Sequence, residues 1–207
     1  MERLGDEFFA RPTLSVAAAL LGVRLVRMVE GERLSGIIVE CEAYVGPDDT
    51  ACHASQGRTR RNEVMWGPPG RAYVYFTYGM HWMLNVVTEV EGFPAAVLLR
   101  ALEPVEGIHR MQVLRQGRAP LRSDTQLTSG PARLTQAMAI DRTLYGADMV
   151  HGDALWLEVG GPVPEGAARS GPRIGIKYAA EKDRSAPWRF WIAGNPYVSS
   201  RGWPAPA

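Results

Sequence analysis

The sequence predicts a single α+β domain over residues 1–207, built on a mainly antiparallel, curved sheet with flanking helices and a protruding β-hairpin. Three observations predict this fold class. Segments with the two-residue alternation of strands outnumber segments with helical spacing. Short turns join successive strands, which favours antiparallel pairing over helical crossovers. A chain of 207 residues, 46% of them hydrophobic, can form one substantial core.

Helices are expected at residues 11–21, 105–116 and 129–140. Thr13 or Ser15 can cap the first helix, an alanine-rich stretch continues it, and Gly22 can end it. Pro131 lies in the first turn of the third helix, where proline is tolerated because its missing N–H would have no helical partner.

Strands are expected at residues 36–44, 71–78, 81–88, 95–100, 153–159, 173–176 and 189–193. Alternation gives the first strand two faces, and the second of them carries two acids. One face holds Ile37, Val39, Cys41 and Ala43. The other face holds Ile38, Glu40, Glu42 and Tyr44.

Glu42 is the first candidate for chemistry. Its neighbours along the strand are apolar, so burial would desolvate the carboxylate and make it a stronger base. A solvent-facing acid on a half-exposed strand would have the same pattern. Glu40, on the same face, is either a rival base or a salt-bridge partner. These two positions are too close for a sugar-directed glycosidase, whose carboxylates lie ~5 to 9.5 Å apart across the scissile bond.

Aromatic side chains are dense around the predicted hairpin at residues 71–88. They include Tyr44, Trp66, Tyr73, Tyr75, Phe76, Tyr78 and Trp82. Core packing is the simpler interpretation of Tyr73 and Phe76. Tyr78 falls at the turn, where a large side chain has little core to fill, and a protruding aromatic can wedge into stacked bases. Tyrosine faces elsewhere can stack on a base that has left the duplex.

The stretch at residues 46–70 is rich in Gly, Pro, Asp and Arg and predicts a long loop, which is usually functional or disordered. Its cluster of Arg58, Arg60 and Arg61 fits phosphate contact in a base-stacking protein, but by itself indicates only a solvated surface. The helix start at Ser129 and Gly130 offers backbone N–H groups for a second phosphate contact.

The bulk composition excludes several classes of protein. A net charge of +1 gives no general signal for nucleic acid. The two cysteines and four histidines lack the spacing of metal ligands, so no metal site is expected. Because no apolar run reaches the length of a membrane span and no secretory signal is evident, we expect a soluble, cytoplasmic protein without membrane contact.

A series of short motifs goes further than composition. In chain order they are Glu42-Ala43-Tyr44, Asp48, Ala51-Cys52-His53, Thr59-Arg60-Arg61-Asn62, Met65, Pro69-Gly70, Tyr73-Val74-Tyr75, Tyr78-Gly79-Met80, Asn85, Leu98-Leu99-Arg100-Ala101 and Ser129-Gly130-Pro131. Together they resemble the alkyladenine (3-methyladenine) DNA glycosylase family, whose vertebrate members excise alkylated purines and hypoxanthine. The resemblance spans residues 11–199 and is weaker after Asp148.

The resemblance implies a catalytic group of three residues. Glu42 would deprotonate the water that attacks C1′ of the sugar, and Arg100 and the backbone carbonyl of Ile176 would hold that water. The reaction would hydrolyse the N-glycosidic bond without a metal or organic cofactor and without cutting the strand, which is the first step of base excision repair.

The resemblance also implies a substrate site for damaged purines. Tyr44, His53 and Tyr75 would sandwich the flipped base, while Asn85 would contact the purine edge and exclude guanine. Tyr178 departs, with Lys177, from the residues of vertebrate members, so the preference among 3-methyladenine, hypoxanthine and related lesions stays open.

DNA contacts are implied at the hairpin and at two further places in the chain. Tyr78 would fill the gap left by the flipped base, and the other contacts would come from Arg61, Met80, Ser129 and Gly130. The expected partner is double-stranded DNA containing damaged purines, bound by a monomer. Two alternatives remain: a lesion-binding protein without catalysis, and a sugar-directed glycosidase. The presence of both a catalytic base, Glu42, and Arg100 disfavours a protein that only binds lesions. The absence of a second acid at a suitable distance disfavours a sugar-directed glycosidase.

Overall fold

The fold is an open sheet of eight antiparallel strands with short helices packed against it. The computed structural model describes residues 2–116, 121 and 123–199. The strands are β1 (Arg24–Val29), β2 (Glu32–Val45), β3 (Ala72–Thr77), β4 (His81–Val87), β5 (Ala95–Glu106), β6 (Leu155–Glu158), β7 (Ala168–Gly171) and β8 (Arg189–Ile192). The α-helices are α1 (Asp6–Phe9), α2 (Thr13–Ala19), α3 (Ile108–Arg115), α4 (Pro131–Ala137) and α5 (Glu181–Ser185). In the described part of the chain, no helix has the length and apolar character needed to cross a membrane.

The long strand β2 organises the sheet. The strand order is β3-β4-β5-β2-β1-β6, so β2 is central and pairs with β5 along most of its length. On the opposite edge of β2 from β5, the first half of the strand pairs with β1. Further along that same edge, residues 40–42 pair with β8. β8 in turn pairs with β7. The prediction of an α+β fold with a mainly antiparallel sheet is therefore confirmed.

The core lies between β2 and its neighbours on one side and helices α2, α3 and α4 on the other. On the N-terminal side of Val39, the even-numbered residues Leu34 and Ile38 of β2 face this core. On the C-terminal side of Val39, the odd-numbered residues Cys41 and Ala43 face it. The pairing with β5 is irregular at this point, because Val39 on β2 and Arg100 on β5 have no opposite partner. A bulge of one residue reverses which alternate side chains face the core. The assignment of Ile38 to the same face as Glu42 is therefore wrong.

The N-terminus of α2 is capped from outside the helix. The expectation that Thr13 or Ser15 supplies the cap is wrong, because Pro12 occupies the N-cap position. The carboxylate of Glu89 accepts hydrogen bonds from the Thr13 backbone N–H (2.6 Å) and hydroxyl (2.8 Å). A negative charge at this end of a helix satisfies free N–H groups and interacts favourably with the helix dipole.

The β3–β4 hairpin is present as predicted, with Tyr78 at its tip. The N–H of Met80 donates to the carbonyl of Thr77 (3.2 Å), and Tyr78 and Gly79 have φ values of +52° and +66°. Two positive φ values in the middle of a turn are typical of the tight type I′ hairpin turn. Glycine adopts this conformation freely, but tyrosine does so at a cost of roughly 1–2 kcal/mol. The Tyr78 side chain is 79% exposed, so core packing does not compensate for this cost.

Several other expectations need correction. The long loop contains two 3₁₀ turns, His53–Gln56 and Glu63–Trp66, and strand β1 was not predicted at all. The strand expected at residues 173–176 is absent, because Ile174 donates its N–H to a side chain and Gly175 has φ +84°. β5 was expected to end at residue 100 but extends to Glu106, so the helix expected from residue 105 begins at Ile108.

We predict that Gly70→Ala destabilises the fold by about 3 kcal/mol or more. Gly70 precedes β3 at φ +77°, and a methyl group there would lie 2.6 Å from the Val150 side chain. Both the left-handed backbone and the overpacking would be unfavourable. Gly31→Ala is a matched control, since its φ is +83° but nothing lies within 4 Å of the added carbon. Urea denaturation should give a loss of only about 1–2 kcal/mol for the control. Equal losses would show that the packing at Gly70 does not matter.

Candidate active site

A wide groove runs between the β3–β4 hairpin, the long loop and the segments around residues 129–136 and 174–178. Its volume is about 1290 Å³. The described residues that line it include Arg61, Arg100, Arg115 and Arg133 but no aspartate or glutamate. The groove is therefore cationic, although the protein as a whole carries a net charge of only +1.

A small aromatic recess opens from the floor of the groove. Its volume is about 40 Å³, much smaller than that of the groove, so a bulky ligand could enter only if the side chains move. It is lined by Tyr44, Ala51, Cys52, His53, Met65, Tyr73, Tyr75, Asn85, Ala96 and Tyr178. The sequence-predicted group of Tyr44, His53, Tyr75 and Asn85 is thus brought together in one place.

His53 and Tyr75 form one wall of this recess. Their ring centroids are 4.5 Å apart at an interplanar angle of 73°, which is edge-to-face contact. His53 Nδ1 also lies 2.7 Å from the hydroxyl of Tyr73. The two rings leave no room for a third ring between them, so a ligand ring would have to lie between this wall and another lining side chain, such as Tyr44 or Tyr178.

His53 is uncharged at neutral pH. Burial, and next the positive charge of Arg61, lower its pKa to about 4. The guanidinium of Arg61 lies 5.2 Å from the centre of the Tyr75 ring and donates to the carbonyl of Phe76 (3.0 Å). A cation at the entrance therefore helps to keep the recess neutral.

Glu42 lies directly behind the groove, on β2. Its carboxylate is fully buried and does not itself line the groove. Oε2 accepts a hydrogen bond from the Tyr44 hydroxyl (2.9 Å) and lies 3.2 Å from Nη1 of Arg100. Oε1 accepts the backbone N–H of Ile174 (2.7 Å). Tyr44, Arg100 and Ile174 all line the groove, so the carboxylate is separated from the groove by one layer of groups that donate to it.

Tyr44 stays protonated and serves as a donor. Burial, followed by the charge of Glu42, raises its pKa well above the ordinary value. The guanidinium of Arg173 lies 4.7 Å from the centre of the Tyr44 ring. Arg173 is itself held by both carboxylate oxygens of Asp49, at 2.5 and 2.8 Å. This bidentate, fully buried pair fixes one face of Tyr44.

Arg100 bridges the two glutamates of β2. Its Nε donates to Oε1 of Glu40 (2.9 Å), while Nη1 faces Glu42. Burial acts to lower the pKa of Arg100, but the charges of Glu42 and Glu40 outweigh it and raise the pKa above its ordinary value. Glu40 is fully buried and also accepts hydrogen bonds from Arg189 and Ser199, so it is a salt-bridge partner.

Ile176 lies at the groove, but in a loop and not in the predicted strand. Its side chain is buried, and its carbonyl accepts the N–H of Ala179 (3.0 Å). The nearby Tyr178 is 70% exposed and lines both the groove and the recess, with its hydroxyl donating to the carbonyl of Ala51 (3.1 Å). The sequence marks Tyr178 only as a departure from vertebrate family members, so its place at the site is a new observation.

The remaining predicted positions divide between two sides of the hairpin. Ser129 and Gly130 line the groove with Tyr78. Met80 is half-exposed and faces a separate cleft of about 500 Å³ between the hairpin and α4.

Asn85 is buried in the recess, where its Nδ2 donates to the carbonyl of Tyr73 (3.0 Å), which fixes the orientation of the Asn85 amide. Tyr73 is buried as expected, whereas the core assignment of Phe76 is wrong because 43% of it is exposed.

Sequence reasoning missed the residues that hold the site from behind. They are Asp49, Arg173, Ile174, Arg189 and Ser199. All of them except Asp49 contact β2 or the turn after it across more than a hundred positions, beyond the reach of any local pattern. In the described residues, no three histidine, cysteine, aspartate or glutamate side chains cluster as a metal site.

Comparison with known proteins identifies the family of the chain. Residues 7–196 match the family model for methylpurine-DNA glycosylase (MPG). Proteins from Chlorobaculum parvum, Methanocella arvoryzae and Carboxydothermus hydrogenoformans, each provisionally named a 3-methyladenine DNA glycosylase, are 48%, 49% and 51% identical to the chain. The alignments cover 100%, 97% and 96% of this chain and 95%, 98% and 99% of those proteins. The chain therefore belongs to the methylpurine-DNA glycosylase family and is a 3-methyladenine-type DNA glycosylase of DNA repair.

Proposed function

We propose that the protein flips alkylated or deaminated purines, 3-methyladenine and hypoxanthine among them, out of duplex DNA and hydrolyses their N-glycosidic bond with a water activated by Glu42. One observation carries this proposal. In the described residues, a cationic groove without acidic lining leads to an aromatic recess, and a buried carboxylate lies one layer behind both.

The groove fits a DNA backbone. Arg61 and Arg133 supply cations on two sides of it, and Ser129 and Gly130 bring backbone close to Arg133. Arginine binds phosphate oxygens with two parallel hydrogen bonds, and such contacts set the position of the protein on the duplex. Tyr78 projects from the hairpin tip into this groove, where it would enter the base stack as the damaged nucleotide leaves it.

The recess fits a flipped purine once its walls separate. The base would stack between Tyr44 and the wall formed by His53 and Tyr75. A purine alkylated at N3 or N7 is cationic, and the π faces of tyrosine attract cations. The depressed pKa of His53 matters here, because a protonated imidazole in that wall would repel a cationic base. Asn85, whose amide is fixed by Tyr73, would contact the purine edge and reject the 2-amino group of guanine.

The chemistry needs one proton acceptor. Water would replace one of the donors now on Glu42, and its oxygen would attack C1′ as the purine departs with the electrons of the glycosidic bond. Glu42 would take the proton from that water, while Arg100 and the carbonyl of Ile176 orient it. An alkylated base leaves as a neutral molecule, whereas hypoxanthine needs a proton to become a good leaving group.

We expect Glu42→Gln to reduce excision by at least 10²-fold while DNA binding stays within a few-fold of wild type. Glutamine is nearly isosteric but cannot take the proton from water, and removing a general base typically costs ~10² to 10⁴ in rate. Single-turnover release of methylpurines from DNA treated with dimethyl sulfate measures the rate, and fluorescence anisotropy measures binding. Retention of more than about a tenth of the wild-type rate would contradict the role of Glu42.

We expect Tyr78→Asn to lower excision from duplex DNA more than from a single strand carrying the same lesion. The substitution removes the wedge, and unstacking costs a few kcal/mol only in the duplex. Asparagine accepts the left-handed φ of Tyr78, so the melting temperature should stay the same or rise. Equal losses on both substrates would rule out a wedge.

We expect Asn85→Ser to raise the release of guanine from undamaged DNA. The shorter side chain leaves room for the 2-amino group, and specificity built on a clash disappears with the clash. The double variant Glu42→Gln/Asn85→Ser is the control, since any guanine that this enzyme releases should vanish in it. An unchanged guanine background in the single variant would count against Asn85 as the selective residue.

A further inference from the structure

Glu40 is a buried charge that the proposed reaction does not use. Its side chain is completely shielded from solvent, and four hydrogen bonds reach it. Oε1 accepts from Nε of Arg100 (2.9 Å), Nη1 of Arg189 (3.2 Å) and the hydroxyl of Ser199 (2.9 Å). Oε2 accepts from the backbone N–H of Ser199 (2.7 Å). All four contacts are donors, so both carboxylate oxygens of Glu40 are satisfied inside the protein.

The charges around Glu42 balance only when Glu40 is counted. Glu40 and Glu42 carry two negative charges, and Arg100 and Arg189 carry two positive charges. Arg100 contacts both acids, so its charge is shared between them. Without Glu40, Arg100 would face Glu42 alone, and Arg189, whose recorded acidic contact is Glu40, would lose that partner, so both positive charges would favour the anion of Glu42. A more stabilised anion is a weaker base.

We propose that Glu40 is a positioning residue for the glycosylase reaction: it anchors Arg100 in its bridging place and offsets the charge of Arg100 and Arg189, so that Glu42 keeps the basicity needed to deprotonate water. This inference rests on the proposed role of Glu42. Glu40 itself contacts neither groove nor recess, so it acts through Arg100.

The other titratable groups around Glu42 leave this balance intact. On its own strand, burial raises the pKa of Cys41 and of Tyr44, so both stay neutral. Burial likewise raises the pKa of Tyr75 on β3. Arg173, on the segment that covers β2, is neutralised by its bidentate pair with Asp49. The charge balance around Glu42 is therefore set by Glu40, Arg100 and Arg189.

The test uses two substitutions of opposite sign and their combination. Glu40→Gln keeps the oxygen that accepts from Arg100 but removes a negative charge. The acidic limb of the pH–rate profile should then move to lower pH by on the order of one unit, the size expected for a nearby unit charge in a protein interior. The rate on the plateau should fall roughly three- to tenfold, because the base is weaker.

Arg189→Met removes a positive charge and should move the same limb to higher pH. Methionine can keep the apolar contact with Trp191, over whose ring the Arg189 guanidinium now lies at 4.3 Å. The double variant Glu40→Gln/Arg189→Met restores the charge balance, so its limb should return close to that of wild type. The assay is single-turnover release of methylpurines from DNA treated with dimethyl sulfate.

Glu158→Gln is the matched control for loss of a buried acid. Glu158 is also buried and held by an arginine, Arg33 (2.8 Å), but lies on β6 away from the groove. The acidic limb of the pH–rate profile of Glu158→Gln should therefore match that of wild type.

The proposal is overturned if the acidic limb does not move in Glu40→Gln and Arg189→Met, or if it moves in the same direction in both variants. If Glu40→Gln fails to fold, the shift in Arg189→Met decides alone. An active Glu42→Gln enzyme would instead overturn the proposed function, so the two failures are distinguishable.

Discussion

The bridge from Arg100 to two buried glutamates constrains the rest of this structure. Removing an ionised carboxylate from water costs several kcal/mol unless opposite charge and hydrogen bonds replace the water, and β2 buries two of them. β5 supplies Arg100, β8 supplies Arg189, and the chain near its described end supplies Ser199. The short strand β8 and the segment after it are therefore needed to make the centre of the sheet stable, even though they carry none of the predicted site residues.

A local irregularity of the sheet makes this bridge possible. Along β2 and β5 the opposite pairs run from Ile38 with Leu102 to Cys41 with Leu99, but Glu40 faces Ala101. One residue on each strand, Val39 and Arg100, is thus left without a partner. Unpaired residues of this kind change the direction in which nearby side chains point, and they are common beside active sites. Here the bulge lets the core face continue with Cys41 while Glu40, Glu42 and Arg100 meet on the other side.

The sequence predicted what depends on short-range patterns and missed what depends on distant contacts. Alternation and turn chemistry identified the hairpin, Tyr78 at its tip and Glu42 on a strand. The same alternation misplaced Ile38, because Ile37, Ile38 and Val39 are all apolar and so do not show where the bulge reverses the alternation. The strand expected at residues 173–176 failed for another reason: its apolar alternation is real, but Ile174 bonds to Glu42 instead of to a neighbouring strand. Local propensity cannot reveal a partner that lies 132 positions away.

Net charge was the least informative property of the sequence, and the site explains why. A total of +1 says nothing about where charges lie, and the described part of the groove concentrates arginines while acids are kept out of its lining. These arginines are not equivalent. Arg100 is compensated by Glu40 and Glu42, so it adds little to the field that a phosphate meets. Arg61 is exposed and has no acidic partner among its described contacts, and it also lowers the pKa of His53. One exposed cation can therefore attract the DNA backbone and at the same time keep the base-binding wall uncharged for a cationic lesion.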